Sequence, residues 1–201
     1  QQFNPIIEDI PLVEGNLPTG HRTTVRSDLP TPTWRRLNYG VKPTKSKRAQ
    51  VDDTIGMLED YSEIDKDLAM LNGNSAEFRM SENLPHLEGM SNKMATTIFY
   101  GDPASNPDEF LGIAPRYSSF TMDGKPAATV GSAQLPNVID NGGSTNLTSV
   151  YYIVWGPSTA FGTFPKGSQA GLLDEDLGLV TLHDNDGGRF RGWQSHYQWK
   201  K

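Results

Sequence analysis

The 201-residue chain has no cysteine, which excludes disulfides and thiolate metal sites and leaves stability to packing or to partners. It has no uninterrupted apolar run near the roughly 18 residues a spanning helix needs, so no transmembrane helix is expected. No basic start followed by an apolar stretch is seen, so no secretory signal is read. What is present in excess is turn chemistry. Gly (20) and Pro (14) together make about 17% of the chain, against a typical ~12%. That predicts many turns and few long helices. Apolar residues, 35% of the total, are spread along the whole length, which argues against wholesale disorder. A compact fold of this size buries roughly 70% of its unfolded surface.

The net charge of -6 is unevenly distributed. Residues 1–15 carry three acids and no base, whereas residues 16–50 carry Arg22, Arg26, Arg35, Arg36, Lys42, Lys45, Lys47 and Arg48 against Asp28 alone. Residues 51–110 reverse the sign, with thirteen acids against three bases, and residues 111–201 balance at seven of each. The basic block has few apolar residues and four prolines (Pro18, Pro30, Pro32, Pro43), so it cannot bury itself. Within it, Gly20 to Ser27 and Thr33 to Tyr39 are β-prone runs separated by Asp28-Leu29-Pro30-Thr31-Pro32, which predicts a long hairpin or extended arm. An isolated two-stranded ribbon is marginal in water and needs a surface to lie on. Three readings remain open from charge alone: a solvated loop, a phosphate-binding arm with Trp34 and Tyr39 stacking on bases, and a protein contact with an acidic surface.

Further along, Ile55, Met57 and Tyr61 suggest a strand continuing out of the arm over residues 51–63. Asn72-Gly73-Asn74 breaks the chain, and Asn74 with Glu77 has capping-box spacing, so a helix is expected from there. Phe78, Leu84, Leu87, Met90, Met94 and Ile98 recur at helical intervals up to the stop at Gly101-Asp102-Pro103. This predicts one helix of about 25 residues, or two joined near Pro85. Asn106 to Pro115 reads as an ordered loop with apolar anchors, followed by a polar, Gly-rich stretch to Asn146. Three β-prone runs follow: Thr148 to Trp155, Leu177 to His183, and Arg189 to Trp199. The last two flank a turn, Asp184-Asn185-Asp186-Gly187-Gly188, and alternation puts Trp193, Tyr197 and Trp199 on one face together with Arg189 and Arg191.

No constellation of residues looks like an active site. Asp184, Asp186 and Gly187 lack the remaining ligands of a calcium loop, so a hairpin turn is the better reading. Gly167-Ser168-Gln169-Ala170-Gly171 is not a nucleophile elbow, and Lys166-Gly167-Ser168 lacks the glycine run of a phosphate loop. His21, His86, His183 and His196 fall in four elements with no metal-ligand spacing. Asn146-Leu147-Thr148 fits a glycosylation pattern that has no meaning without a secretion signal. A non-enzymatic protein without cofactor or metal is expected.

Particular stretches carry more than these statistics. They are Val13-Glu14-Gly15-Asn16, Trp34-Arg35-Arg36-Leu37-Asn38-Tyr39-Gly40-Val41, Gly56-Met57-Leu58-Glu59, Asn72-Gly73-Asn74, Phe99-Tyr100-Gly101-Asp102, Trp155-Gly156, Phe164-Pro165-Lys166-Gly167-Ser168 and Gly187-Gly188-Arg189. Together, in this order, they resemble the major capsid proteins of tailed bacteriophages, in the branch of short-tailed phages of the epsilon-fifteen type with the Hong Kong 97-like fold.

The resemblance implies an α+β fold with an N-terminal arm (1–15), an extended β-hairpin loop (16–50), a peripheral domain (51–115) and an axial domain (116–201). The peripheral domain carries a spine helix at about 75–100 beside a β-sheet. Such proteins are longer, and their chain returns to complete the peripheral sheet. A piece lacking that return is therefore expected.

The implied function is self-assembly into an icosahedral head shell enclosing the phage double-stranded DNA, in the virion, after assembly in the host cytoplasm. The implied partners are copies of the same chain in hexamers and pentamers, with cement, portal and scaffolding proteins beside them. DNA is enclosed without sequence-specific binding, and no membrane is involved. The expected inter-subunit residues are Arg22, Arg26, Trp34, Arg35, Arg36, Lys42, Lys45, Lys47 and Arg48 on the extended loop. The expected acidic acceptor surface is Glu59, Asp60, Glu63, Asp65, Asp67, Glu77, Glu82 and Glu88. The alternative is a nucleic-acid-binding module using residues 22–48.

Overall fold

A computed structural model describes residues 4–71, 73–117, 121–122, 125–126, 145 and 148–200. Helix α1 (Pro5–Asp9) and strand β1 (Leu12–Glu14) lead into the pair β2 (Gly20–Asp28) and β3 (Lys47–Thr54). Strand β4 (Met57–Asp65) follows, then α2 (Lys66–Met70), α3 (Ser75–Tyr100) and α4 (Ile113–Arg116). After the short pair β5 (Thr121–Met122) and β6 (Lys125–Pro126) come β7 (Gly162–Phe164), β8 (Leu172–His183) and β9 (Arg189–Lys200). Most of the Gly-rich stretch, with Asn146 of the glycosylation pattern, lies outside the described residues, as does Asn72.

The 26-residue α3 begins where its cap predicts. The Asn74 side-chain oxygen accepts from the Glu77 amide at 3.3 Å, and its Nδ2 donates to Glu77 Oε2 at 2.8 Å, so the two residues secure each other. Pro85 lies inside a single continuous helix rather than at a joint between two. The helix ends at Gly101, and the reason is space rather than handedness. Its φ is -57°, ordinary for any residue, but an added Cβ would come within 2.5 Å of the Phe110 carbonyl. The loop that follows α3 folds back here, with the Gly112 amide donating to the Gly101 carbonyl at 2.7 Å.

Beside α3 lies a three-stranded antiparallel sheet in the order β4-β9-β8. The two-residue period of β9 turns Tyr197 and Trp199 toward α3, where they meet Met90, Met94 and Ile98. Ile10 enters the same core, and Asn4 donates to Ser91 Oγ (3.2 Å) and Asn92 Oδ1 (3.0 Å), so the arm from residue 4 onward lies on its own subunit's α3. Strand β1 continues this attachment by pairing in parallel with β7.

Several expectations are corrected. Thr33 to Tyr39 is not the return strand of the hairpin; Lys47–Thr54 is, and the run between lacks pairing partners. Residues 51–63 do not form one strand: the run is interrupted at Ile55-Gly56, with β3 pairing with β2 and β4 with β9. Thr148 to Trp155 forms no strand; among the described residues it makes a single bridge, from Trp155 to Ala160. Strand β8 begins at Leu172, five residues before the expected start at 177. Its acid-rich first half hides the alternation, and a bulge between Asp176 and Gly178, with Gly178 at φ +75°, shifts the register. The turn between β8 and β9 is as expected: Gly187 has φ +82°, and Asp184 Oδ1 accepts from the amides of Asp186 (3.0 Å) and Gly188 (2.6 Å). Strands β8 and β9, from beyond the expected 115/116 boundary, share one sheet with β4 from before it.

Candidate inter-subunit surface

The β2–β3 ribbon is neutral at its base and basic toward its tip. Arg22 donates to both carboxylate oxygens of Asp52 at 2.6 Å; this fork holds the carboxyl below its usual range and raises the guanidinium. The other base contacts are Asp53 with Arg116 of α4, and Asn16, which exchanges 2.7 Å hydrogen bonds with the Arg22 backbone. Lys47 lies 3.8 Å from Asp28.

Between the Arg22–Asp52 and Lys47–Asp28 pairs the ladder turns unfavourable. Arg26 and Arg48 stand directly opposite each other across the ladder, where like charges destabilise. Neither has an ion-pair partner among the described residues, nor do Arg35, Arg36, Lys42 and Lys45. The tip, residues 29–46, is exposed at every position. Trp34 is 104% exposed, Leu37 86% and Tyr39 70%. A turn through Asn38, at φ 67° and closed by the Tyr39 amide on the Arg36 carbonyl (3.2 Å), presents these groups outward.

The eight expected acceptor acids occupy several places. Glu59 and Glu63 lie on the sheet face turned away from α3, taking hydrogen bonds from Gln198 and from Gln194 (2.8 Å). On that face Tyr61 stacks on His196 with centroids 4.5 Å apart. Asp60 points the other way and meets His86 Nδ1 of α3 at 2.7 Å. Asp65 caps α2 by accepting from the Asp67 amide at 2.7 Å, and Asp67 is exposed in its first turn. Glu77, Glu82 and Glu88 are exposed along α3.

A groove of about 300 Å³, which sequence reasoning missed, runs between α3 and β8. Its walls are Ala76, Met80, Leu84 and Leu87, with Asp174, Asp176 and Tyr197 on the sheet side. Arg79 spans it, 2.8 Å from Asp176 and 4.4 Å over the Trp193 ring. That guanidinium holds the Asp176 carboxyl below its usual range, while burial pushes the Tyr197 hydroxyl up. Asn83 Oδ1 is buried at the groove with no hydrogen-bond donor among the described residues. Asp174 and Asp176 were legible only as charges in the balanced final block. Their position across from α3 depends on a long-range strand pairing that spacing does not reveal.

An α+β body with a long helix beside a sheet, and a ribbon projecting from it, is the Hong Kong 97-like capsid fold expected from the sequence. The chain matches the family Major capsid protein GP7 over residues 1–201, and it belongs to that family. Among solved structures it is similar to the capsid of bacteriophage epsilon15, with 30% identity and a TM-score of 0.63 over 100% of this chain. This chain spans 58% of the length of that one. Capsid chains of empty and native GTA particles also match, with 9% identity and TM-scores of 0.46 and 0.48, each covering 100% of this chain and 86% of the other. No match was found among curated proteins.

Proposed function

We propose that this chain is the shell-forming part of a phage head protein. Copies associate in hexamers and pentamers, and the shell encloses double-stranded DNA without reading its sequence. The observation that carries this reading is the unsatisfied ribbon: charge-opposed at Arg26 and Arg48, and with Trp34, Leu37 and Tyr39 in solvent at its tip. Large apolar groups held out on a basic arm lose their exposure only against another molecule, and a copy of the same chain supplies acidic and apolar surface. Repeating one head-to-tail contact closes into rings, and curvature closes rings into a shell.

The loop residues Arg22, Arg26, Trp34, Arg35, Arg36, Lys42, Lys45, Lys47 and Arg48 form one side of the contact. Within that set Arg22 and Lys47 already have acids of their own, so the burden falls on the others. Glu59, Asp60, Glu63, Asp65, Asp67, Glu77, Glu82 and Glu88 form the acidic field on the neighbour. The net charge of -6 weakens adhesion to packaged DNA. The reading places the protein in the virion after assembly in the host cytoplasm, with portal, cement and scaffolding proteins as further partners, and assigns it no catalysis. As a domain scheme it keeps the arm, the extended loop and the peripheral unit, and adds β8 and β9 to the last.

Electron microscopy of the full-length protein after expression tests this. Closed shells or ring-shaped capsomers are expected; a persistent monomer that binds DNA through residues 22–48 would replace the reading with a nucleic-acid-binding module.

A further inference from the structure

We infer that Trp34 of one copy seats in the groove between α3 and β8 of a neighbouring copy; this rests on the shell reading and specifies its contact. Three observations meet here. Trp34 has no contact with its own subunit, being 104% exposed. The groove's volume, about 300 Å³, suits one large aromatic side chain, and Met80, Leu84 and Leu87 give it an apolar wall with Met80 itself 66% exposed. The residues that follow Trp34 are Arg35 and Arg36, and the sheet side of the groove carries Asp174 and Asp176.

The acids are not equivalent. Asp176 is already paired with Arg79, whereas Asp174 has no ion-pair partner among the described residues and is the free counter-charge for an incoming arginine. A tryptophan followed by two arginines, entering a groove with an apolar wall and an acidic edge, has the composition of an interface hot spot. Its apolar body is buried, and the charges that follow it fix its direction of approach.

These 201 residues contain no cysteine, so the seat can be tested with introduced ones, any cysteine elsewhere in the protein being replaced by serine. In the full-length protein, Thr33→Cys together with Met80→Cys leaves Trp34 intact and puts one thiol beside it and one at the groove. Assembled particles of this variant, treated with a short bis-maleimide and run on a denaturing gel, are expected to give a ladder of linked chains. Each single-cysteine variant is expected to give no ladder. Trp34→Ala is expected to raise the concentration needed for assembly at least tenfold while leaving the monomer's melting temperature unchanged. Particles that form without a ladder, or Trp34→Ala protein that assembles at the original concentration, overturn the seat and leave the shell reading standing. Wild-type protein that forms no particles overturns both.

Discussion

Arg79 fastens α3 to the sheet by two contacts of different physical kinds, a 2.8 Å ion pair with Asp176 and a stacking contact over Trp193. The pair is half open to water, so its worth at neutral pH is about 1 kcal/mol or less. Its pH dependence has a definite sign. The Asp176 carboxyl titrates lower in the folded protein than in the unfolded chain, chiefly because Arg79 donates to it. The stabilisation is therefore complete above the ordinary aspartate range near pH 4, and is lost as pH falls through the lower native value. Asp176→Asn is expected to melt slightly lower at pH 7 and to lose stability less steeply between pH 5 and 3, as measured by thermal melts across that range. An unchanged slope would mean that Asp176 is not held by Arg79 in solution. None of this was legible in the sequence, where residues 79, 176 and 193 belong to three separate segments. Gly101 was legible as a stop, but its cause, the carbonyl of Phe110 occupying the space of a side chain, was not.

At the level of elements, local signals were readable and pairings were not. The Asn74–Glu77 cap and the helical spacing of Met90, Met94 and Ile98 are short-range facts, and α3 follows them. The turn at Gly187 is likewise set by five consecutive residues. Thr33 to Tyr39, by contrast, has strand-like composition and no strand. The ribbon's partner for Gly20–Asp28 is Lys47–Thr54, with Asp52 meeting Arg22 across the ladder, a match at thirty residues' separation. Strand β8 was half hidden because Asp174, Glu175 and Asp176 interrupt its apolar pattern.

The one local signal that α3 overrides is Pro85, which withholds an amide from the helix interior and sits on its exposed side. Pro85→Ala restores a donor toward the Ser81 carbonyl and removes the ring. It is expected to stabilise the fold by about 1–3 kcal/mol, read from chemical denaturation. A destabilised variant would mean that the proline is required by the helix's packing.

For the whole molecule, the uneven charge that the sequence displayed is the feature the structure organises. Part of the basic block is neutralised within the ribbon by Asp28 and Asp52, Asp53 being taken by Arg116 of α4, and what remains uncompensated lies toward and at the tip. The acids expected to receive it are divided between the two faces of the sheet, the start of α2 and the length of α3, so sequence proximity misjudged how far apart they stand. Reversing Arg35, Arg36 and Arg48 to glutamate, while sparing Lys47 beside Asp28, is expected to abolish particles in sedimentation without lowering the monomer's melting temperature. Adding bases at 59–67 is expected to restore assembly in part if that region is the one met. Assembly surviving the reversal would remove the electrostatic part of the account.

The central claim is that the ribbon tip is completed only by another copy. Replacing residues 29–46 of the full-length protein with a Gly/Ser linker of equal length removes side chains that are exposed throughout their own subunit. Sedimentation velocity beside a thermal melt then gives the most direct test. The account predicts particles from the wild-type chain, and from the variant monomers with an unchanged melting temperature. Particles of wild-type size from the variant would contradict it.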